Sequence, residues 1–333
     1  MPRTDFTLVG PDSATRIVTT FDRGRIRFWL AWGLAFVVGV CLRWGILPPP
    51  DDDDFEWDDR LSTLEKPFDS AEVPSLQPFL KPPEINTPKV VGSLVVCGGG
   101  RLPDAVREEF LKLAGGEKSM LVVIPTGSET AEATDEQTQH RRLWEALRPA
   151  AIDILHTRSR DAANNDQFVA PLRKATGVWI GGGRQSLIAA AYSGTRVERE
   201  LHALLARGGV IGGTSAGAAC QSRIMIVRGE VHDVPGLGLL PGTIIDQHFV
   251  VRSRKPRLLA ALDKHPQWLG VGVDEQAALV VQGAKLRCVG DSSVTLCVTP
   301  TVAGEARELV LKPGDTADLH EWRRKAGQRE ADR

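Results

Sequence analysis

The sequence has no excess of charge of either sign and no clustering of cysteines. Its 41 lysine and arginine residues stand against 42 aspartate and glutamate residues, which leaves a net charge of -1 at pH 7. A nucleic acid partner is therefore not expected, because such partners are bound through positive fields. The five cysteines show neither C-x-x-C spacing nor a cluster with histidine, so we expect no metal site. Cys288 and Cys297 leave two alternatives open, a disulfide across a hairpin or packed free thiols.

A dinucleotide-binding motif is also missing. Gly98, Gly99 and Gly100 follow an apolar run, but Pro103 stands where G-x-G-x-x-G requires its last glycine. We therefore expect no cofactor. The glycine run is interpreted as a tight turn between a strand and a helix.

One long apolar run lies near the N-terminus. From Phe28 to Leu47 only Arg43 carries a charge, and about 20 such residues are enough to span a bilayer. Arginines precede the run and acidic residues follow it, which predicts a cytoplasmic N-terminus with the rest of the chain outside the cytoplasm. Because no A-x-A-like cleavage site follows, we favour a single-pass membrane anchor over a cleaved secretory signal.

Composition divides the chain into five parts. A cytoplasmic tail over residues 1–25 and the anchor over 26–47 precede a linker rich in Pro and Asp over 48–88. The main domain covers 89–290, and a β-rich extension with a charged tail covers 291–333. In the main domain, short apolar runs alternate with helical patterns, which predicts an α/β fold of three layers, α/β/α, with a mostly parallel sheet. Ligands of such sheets bind outside the carboxyl ends of the strands.

The clearest chemical motif is G-x-S-x-G at Gly213, Ser215 and Gly217, between an apolar run and a stretch of small residues. A strand that turns into a helix here would hold the hydroxyl of Ser215 at a strained elbow, placed to attack a carbonyl. The amide of Ala216, at the helix N-terminus, would face the oxyanion that forms. The motif is short, so a glycine-rich turn with an incidental serine is the alternative.

A nucleophilic serine needs a base, commonly a histidine held by a carboxylate. Of seven histidines, His248 stands out because it follows a predicted strand and precedes three arginines; His156, at the end of another predicted strand, stays a candidate. A further apolar run ends at Asp274 and Glu275, and either acid could orient an imidazole. The order Ser, His, acid differs from that of the α/β-hydrolases and indicates another lineage of serine hydrolases.

Three segments together resemble one family. Residues 213–218, 246–257 and 272–275 are similar, in residue type and joint spacing, to the cyanophycinase branch of the S51 serine peptidases, relatives of the aspartyl dipeptidases. The resemblance implies a fold like that of class I glutamine amidotransferases, a homodimer, and a Ser-His-Glu triad made by Ser215, His248 and Glu275. A glutamine amidotransferase itself is disfavoured, because its nucleophile is a cysteine and Cys220 lies past the elbow.

The resemblance also implies a substrate groove, and Gly182 or Gly183 as the second oxyanion donor. The groove positions are Gln185, Asp246, Gln247, Arg252, Arg254 and Arg257. Cyanophycin is a poly-aspartate backbone with arginine joined to each side-chain carboxylate, so arginines would suit its free α-carboxylates and Asp246 its guanidinium groups. Solvated helix charges are the alternative for the arginines.

The expected function is a membrane-anchored serine exopeptidase that cleaves a cyanophycin-like polymer to β-Asp-Arg dipeptides. Arg184 stands where the cyanophycin enzymes tend to carry an acid, which motivates an aspartyl or isoaspartyl dipeptidase as an alternative. A non-catalytic surface binding protein on the same scaffold is a third hypothesis, and the complete Ser, His and Glu set argues against it.

Overall fold

The computed structural model describes residues 8–9, 16–17, 91–227, 230–299 and 307–327. The chain divides into two units, Met1–Ser62 and Thr63–Arg333. In the first unit, β1 (Leu8–Val9) and β2 (Arg16–Ile17) form an antiparallel pair. No helix among the described residues is long and apolar enough to cross a membrane. The predicted anchor over 26–47 and linker over 48–88 lie outside those residues and stay predictions of the sequence.

Strands and helices alternate through most of the second unit. In chain order they are β3 (Ser93–Cys97), α1 (Asp104–Leu113), a 3-10 turn (Gly116–Lys118), β4 (Met120–Ile124), α2 (Thr134–Glu145), β5 (Ala151–Ile154), α3 (Arg160–Ala163), α4 (Asp166–Lys174), β6 (Gly177–Ile180), α5 (Gln185–Tyr192), α6 (Arg196–Ala206), β7 (Val210–Thr214), α7 (Ala216–Ala219), β8 (Ile224–Val227), β9 (Glu230–Pro235), β10 (Thr243–Gln247), α8 (Lys255–Lys264), β11 (Leu269–Val273), β12 (Ala277–Gln282), β13 (Lys285–Gly290), β14 (Val294–Val298), β15 (Arg307–Leu311), β16 (Thr316–Asp318) and α9 (Leu319–Gly327).

An eight-stranded sheet has the order β16-β13-β12-β3-β7-β6-β4-β5. The five strands from β3 to β5 are parallel, whereas β12, β13 and β16 join antiparallel. Only two residues connect β12 to β13, and so short a connection permits antiparallel pairing alone. The predicted α/β class with one large sheet is confirmed.

Both faces of the large sheet are buried. Along β3, Leu94 and Val96 pack in one apolar cluster with residues of α4, α5 and α6, whereas Val95 and Cys97 pack in another with residues of α1 and α2. Successive side chains of a strand point to opposite faces, so a strand covered on both sides reads as an unbroken apolar run. The unbroken apolar runs of the sequence therefore predict the central strands of this sheet.

A second, four-stranded sheet was not predicted. Its order is β10-β11-β14-β15, with β10 parallel to β11 and the other pairs antiparallel. Only residues 274–276 separate β11 of this sheet from β12 of the large sheet. The chain therefore passes from one sheet to the other at the segment that holds Asp274 and Glu275.

The cysteines of the described ranges are free thiols. Cys97, Cys220, Cys288 and Cys297 are all buried. Cys288 belongs to β13 of the large sheet and Cys297 to β14 of the second sheet, so they do not face each other across a hairpin. The disulfide alternative is therefore wrong for this structure.

Candidate active site

Ser215 lies at a sharp turn between β7 and α7. Its backbone has φ 50° and ψ -114°, a conformation that is costly for a residue with a side chain. The N–H of Ser215 donates to the carbonyl of Cys97 at 3.0 Å, which ties the elbow to the end of β3. Close packing explains the flanking glycine, because a Cβ on Gly217 would lie 2.7 Å from the carbonyl carbon of Ile180. The predicted elbow is present, and it holds the serine in a strained position.

Ser215, His248 and Glu275 form one hydrogen-bonded chain. The Oγ of Ser215 lies 2.8 Å from Nε2 of His248, and Nδ1 of His248 lies 2.6 Å from Oε1 of Glu275. A carboxylate can only accept, so the imidazole proton lies on Nδ1 and the lone pair of Nε2 faces the serine hydroxyl. The N–H of His248 donates to the carbonyl of Gly98 at 2.9 Å. The structure therefore brings together the three side chains that the sequence singled out.

Asp274 has a different partner set from Glu275. Its Oδ1 accepts the N–H groups of Val250 and Val251, both at 3.0 Å, and its Oδ2 accepts the hydroxyl of Ser292 at 2.8 Å. These bonds hold the turn that follows His248. Of the two adjacent acids, Glu275 contacts the imidazole and Asp274 supports the backbone beside it.

The surroundings of His248 favour the neutral imidazole. Burial lowers the pKa of His248 below its ordinary value; the hydrogen bond to Glu275 opposes this, and the charges of Arg252 and Arg254 add to the lowering. The residue is only 7% exposed. A group with this pKa accepts a proton at neutral pH, as a general base must.

The glycines after β3 fit closely around this chain. Gly99 has φ +116°, and a Cβ there would lie 2.6 Å from Nε2 of His248. Gly100 has φ +68°, and a Cβ there would lie 2.7 Å from Oε2 of Glu275. The sequence pattern predicts only a tight turn at these glycines. The signal for their role was the run of three glycines at the carboxyl end of a central strand.

The predicted oxyanion donors differ in their position around Ser215. Ala216 is the first residue of α7, so its N–H has no acceptor within the helix. A Cβ on Gly182 would lie 3.5 Å from Cβ of Ser215, which places this glycine directly beside the serine. Gly183 instead packs on Gly127 and Ser128, since a Cβ there would lie 2.8 Å from the backbone nitrogen of Ser128.

Two predicted groove residues contact each other. Nε2 of Gln247 lies 3.3 Å from Oε1 of Gln185, and the amide of Gln185 also donates to the carbonyl of Ile226. Both glutamines keep a small exposed surface, 9% for Gln185 and 8% for Gln247. They form one largely buried amide pair.

Asp246 is not available for a substrate guanidinium in this structure. Its side chain has no exposed surface, and its two oxygens accept from Nε and Nη2 of Arg257 at 2.8 and 2.5 Å. Nη1 of Arg254 lies 3.8 Å from the same carboxylate and also donates to the carbonyl of Gln247. Burial raises the pKa of Asp246, and the bonds from Arg257 oppose that rise. The predicted substrate role of Asp246 is therefore corrected: this carboxylate binds guanidinium groups of its own chain.

The three predicted arginines do not share one helix. Arg257 lies in α8, whereas Arg254 is the residue before its first turn and Arg252 lies in the preceding turn. Helix α8 begins only at Lys255, with Pro256 in its first turn, where proline is favoured. Arg254 is 6% exposed and Arg252 is half-buried. Arg257 is half-buried as well, but its guanidinium is bound to Asp246.

A cavity of about 580 Å³ lies outside this site. It is lined by residues of α2 and the segment before it: Thr130, Ala133, Asp135, Glu136, Gln139, His140 and Leu143. A Cβ on Gly181 would lie 3.2 Å from Cε1 of His140, so the cavity borders the glycine loop after β6, residues 181–183. Among the described residues, no group of three or more His, Cys, Asp or Glu side chains is placed to hold a metal ion.

Comparison with known proteins identifies the family. The model of peptidase family S51 matches residues 94–289, which include all three members of the hydrogen-bonded chain. The chain belongs to peptidase family S51. It is therefore a peptidase, a hydrolase of peptide bonds.

Relatives of this S51 chain carry the name cyanophycinase. The cyanophycinase of Nostoc sp. (strain PCC 7120) is 32% identical over 267 residues, which cover 75% of this chain and 88% of the relative. The cyanophycinase of Synechococcus elongatus is 33% identical over 221 residues, which cover 62% and 67% of the two chains. A solved peptidase from an acI-B1 Actinobacterium has a TM-score of 0.55 at 22% identity, over 68% of this chain and 96% of its own, and thus shares the fold.

Proposed function

We propose that this S51 peptidase is a serine exopeptidase of cyanophycinase type that works through a Ser-His-Glu triad. The observation that carries the proposal is the chain of bonds from Ser215 to His248 at 2.8 Å and from His248 to Glu275 at 2.6 Å. The serine stands on a strained elbow next to the N-terminus of α7, which is the arrangement that acyl transfer requires.

Each residue has one role in the proposed reaction. Nε2 of His248 takes the proton from Oγ of Ser215 as the oxygen attacks the scissile carbonyl, and Glu275 stabilises the imidazolium. The amides of Ala216 and Gly182 bind the oxyanion; one such donor is worth about 10²–10³ in rate. His248 then gives its proton to the leaving amine, and water hydrolyses the acyl-enzyme.

The proposed substrate is a cyanophycin-like polymer, and the product a β-Asp-Arg dipeptide. Relatives named cyanophycinase support this substrate class. We assign its carboxylates to Arg252 and its guanidinium groups to the amide pair of Gln185 and Gln247, because the carboxylate of Asp246 is already bound by Arg257. Amide oxygens accept hydrogen bonds from a guanidinium without adding a charge.

The proposal includes the three-layer fold of class I glutamine amidotransferases, without their chemistry. Helices on both faces of the large sheet support the three layers. Cys220 is no alternative nucleophile, since it is fully buried and its Sγ donates to the carbonyl of Gly217 at 3.3 Å. Burial also raises the pKa of the Cys220 thiol, which suppresses the thiolate.

The test is product analysis by mass spectrometry after incubating the full chain with purified cyanophycin. The parent should release the dipeptide, and Ser215→Ala should lose about 10³-fold or more in rate, as enzymes do when a triad member is removed. Ser159→Ala is the matched control, because it removes an exposed hydroxyl that only caps α3. Hydrolysis that persists in Ser215→Ala would contradict the assignment.

A second candidate keeps the triad and changes the substrate to short aspartyl or isoaspartyl peptides. Arg184 motivates it: this arginine follows the glycine loop, is 34% exposed, and pairs with Glu129 at 2.9 Å. The guanidinium of Arg184, held next to the glycine loop, suits the terminal carboxylate of a short peptide. Faster turnover of N-terminal aspartyl dipeptides than of cyanophycin would support this candidate over the first.

We also propose that the peptidase is held at a membrane with its catalytic domain outside the cytoplasm. Support comes only from the sequence, in which the apolar run from Phe28 to Leu47 follows arginines and precedes acidic residues. Full-length chain that stays in the membrane fraction after alkaline carbonate washing would agree with the proposal. Release into the wash would contradict it.

A further inference from the structure

We propose that a second histidine chain, formed by Tyr192, Thr126, His156 and Glu132, positions the glycine loop after β6, which holds Gly182. Oγ1 of Thr126 lies 2.7 Å from Oη of Tyr192 and 2.9 Å from Nδ1 of His156. Nε2 of His156 lies 2.8 Å from Oε1 of Glu132. The inference rests on the proposed function, since it assigns these residues to the support of Gly182 beside Ser215.

The hydrogen bonds of this chain run in one direction. The bond from His156 lowers the pKa of Glu132 to about 2, so Glu132 accepts as a carboxylate. In the tautomer with its single proton on Nε2, His156 donates to Glu132 and accepts at Nδ1 from Thr126, whose hydroxyl has only one proton to give. Thr126 therefore accepts from Tyr192, whose oxygen also takes the N–H of Thr157 at 3.3 Å. Every polar group in the chain is satisfied.

Burial makes this chain a support and excludes it as a second nucleophilic site. Thr126 and Tyr192 have no exposed surface, and the side chain of His156 is 8% exposed. A substrate carbonyl cannot reach the hydroxyl of Thr126. Water cannot replace the bond between Thr126 and Tyr192, so losing it leaves a buried group without its partner, whereas Glu132 at the other end of the chain is 57% exposed.

Arg158 also binds the segment that contains Thr126 and Glu132. Its Nη1 and Nη2 donate to the carbonyls of Thr126 and Ser128, both at 2.5 Å, and its Nε donates to Glu132 at 3.1 Å. Together, Arg158 and the histidine chain hold residues 126–132 at both ends. We call this segment, which follows the carboxyl end of β4, the platform.

The platform contacts the glycine loop directly. The carbonyl of Gly127 accepts the N–H of Arg184 at 2.7 Å, and Glu129 pairs with the guanidinium of Arg184 at 2.9 Å. A Cβ on Gly127 would lie 3.2 Å from the carbonyl carbon of Gly182, and Gly183 packs on the same backbone. Displacement of the platform therefore moves Gly182, which lies beside Ser215.

The consequence for the reaction is specific. An oxyanion donor acts on the tetrahedral intermediate and contributes little to substrate binding, so its misplacement lowers kcat more than it raises KM. A misplacement of about 1 Å costs on the order of 10²-fold in rate. Thr126 and Tyr192 are positioning residues in this scheme, because neither touches the substrate.

A matched pair of variants at Thr126 tests the proposal. Thr126→Val keeps the shape and removes the hydroxyl, whereas Thr126→Ser keeps the hydroxyl and removes a methyl group. We expect Thr126→Val to lower kcat by about 10- to 100-fold with KM within about twofold, and Thr126→Ser to stay near the parent. The affinity of a peptide boronate, which binds the serine as a tetrahedral adduct, should fall with kcat in Thr126→Val.

Two results would overturn the inference. One is a Thr126→Val enzyme with the kcat of the parent, and the other is a loss of kcat without a matching loss of boronate affinity. If Thr126→Val does not fold, Tyr192→Phe removes one end of the chain and takes its place in the same comparison. Ser215→Ala runs beside them: activity in that variant refutes the proposed triad, whereas an inactive Ser215→Ala with a fully active Thr126→Val refutes only the role of the histidine chain.

Discussion

Replacing Gly99 by alanine places a methyl group against the imidazole of His248. The added Cβ would lie 2.6 Å from Nε2, whereas ordinary contacts begin at about 3.4 Å. The ring is already held between Ser215 at 2.8 Å and Glu275 at 2.6 Å. Because alanine has no flexible end that can turn away, and Cε1 of the ring lies closer still, the imidazole or the backbone of Gly99 must shift by at least about 0.8 Å, the difference between the two contact distances.

The substitution has two separate effects. If the ring moves by that amount, the Oγ to Nε2 distance of 2.8 Å can grow to at most about 3.6 Å, and the hydrogen bond is lengthened and misaligned. The expected loss is about 10²-fold in kcat/KM, as for other displacements of about 1 Å in an active site. The φ of +116° adds a stability cost of about 1–2 kcal/mol for any residue with a Cβ.

Gly115→Ala separates the two effects. Gly115 has φ +108° and nothing within 4 Å of an added Cβ, so it carries the same backbone cost without the contact. Thermal unfolding should show the shared backbone cost in both variants and a further loss in Gly99→Ala from the contact with His248. Labelling by a fluorophosphonate probe and hydrolysis of cyanophycin should be slowed only in Gly99→Ala. Equal labelling rates in the two variants would refute the packing argument at His248.

Other predictions concern the acids around the imidazole. Because burial holds the pKa of His248 below its ordinary value, the acid limb of the profile of kcat/KM against pH should lie below about pH 6.5. Glu275→Gln removes a hydrogen bond that raises this pKa. It should therefore move the acid limb to still lower pH and also lower the maximal kcat/KM. Asp274→Asn should keep most of the kcat that Glu275→Gln loses. Equal losses of kcat in stopped assays of the two variants would contradict the assignment of the imidazole contact to Glu275 and of backbone support to Asp274. Asp246→Ala leaves Arg257 without its buried carboxylate and should cost about 3–5 kcal/mol in urea unfolding, and a change under 1 kcal/mol would refute this.

The members of the hydrogen-bonded chain could be selected from the sequence because each follows an apolar run at a strand end. Ser215 stands in a local motif, and His248 and Glu275 come directly after β10 and shortly after β11. The choice between Glu275 and Asp274 rested on the family resemblance. Geometry supports it, since the two adjacent side chains leave the backbone in different directions and meet different partners.

Other parts of the site depend on contacts that no local pattern records. Asp246 stands next to Gln247 in the sequence, but adjacent residues of a strand point to opposite sides, so Asp246 is buried against Arg257 of α8. Thr126, His156 and Tyr192 lie on three separate segments, and only the folded chain joins them. Helix α4 was not predicted either, because Pro171 lies inside it and breaks the expected pattern.

The position of the site at the boundary of two sheets explains how the triad is assembled. Strands β10 and β11 pair in parallel with Gln247 opposite Val273, so the residues that follow them, His248 and the segment with Glu275, leave the second sheet side by side. Helix α8 makes the crossover that parallel pairing requires. The separation of His248 from Glu275 in the chain is therefore set by this crossover, and their separation in space by the register. A change in the length of α8 can be absorbed, whereas a one-residue slip between β10 and β11 would turn His248 away from Ser215.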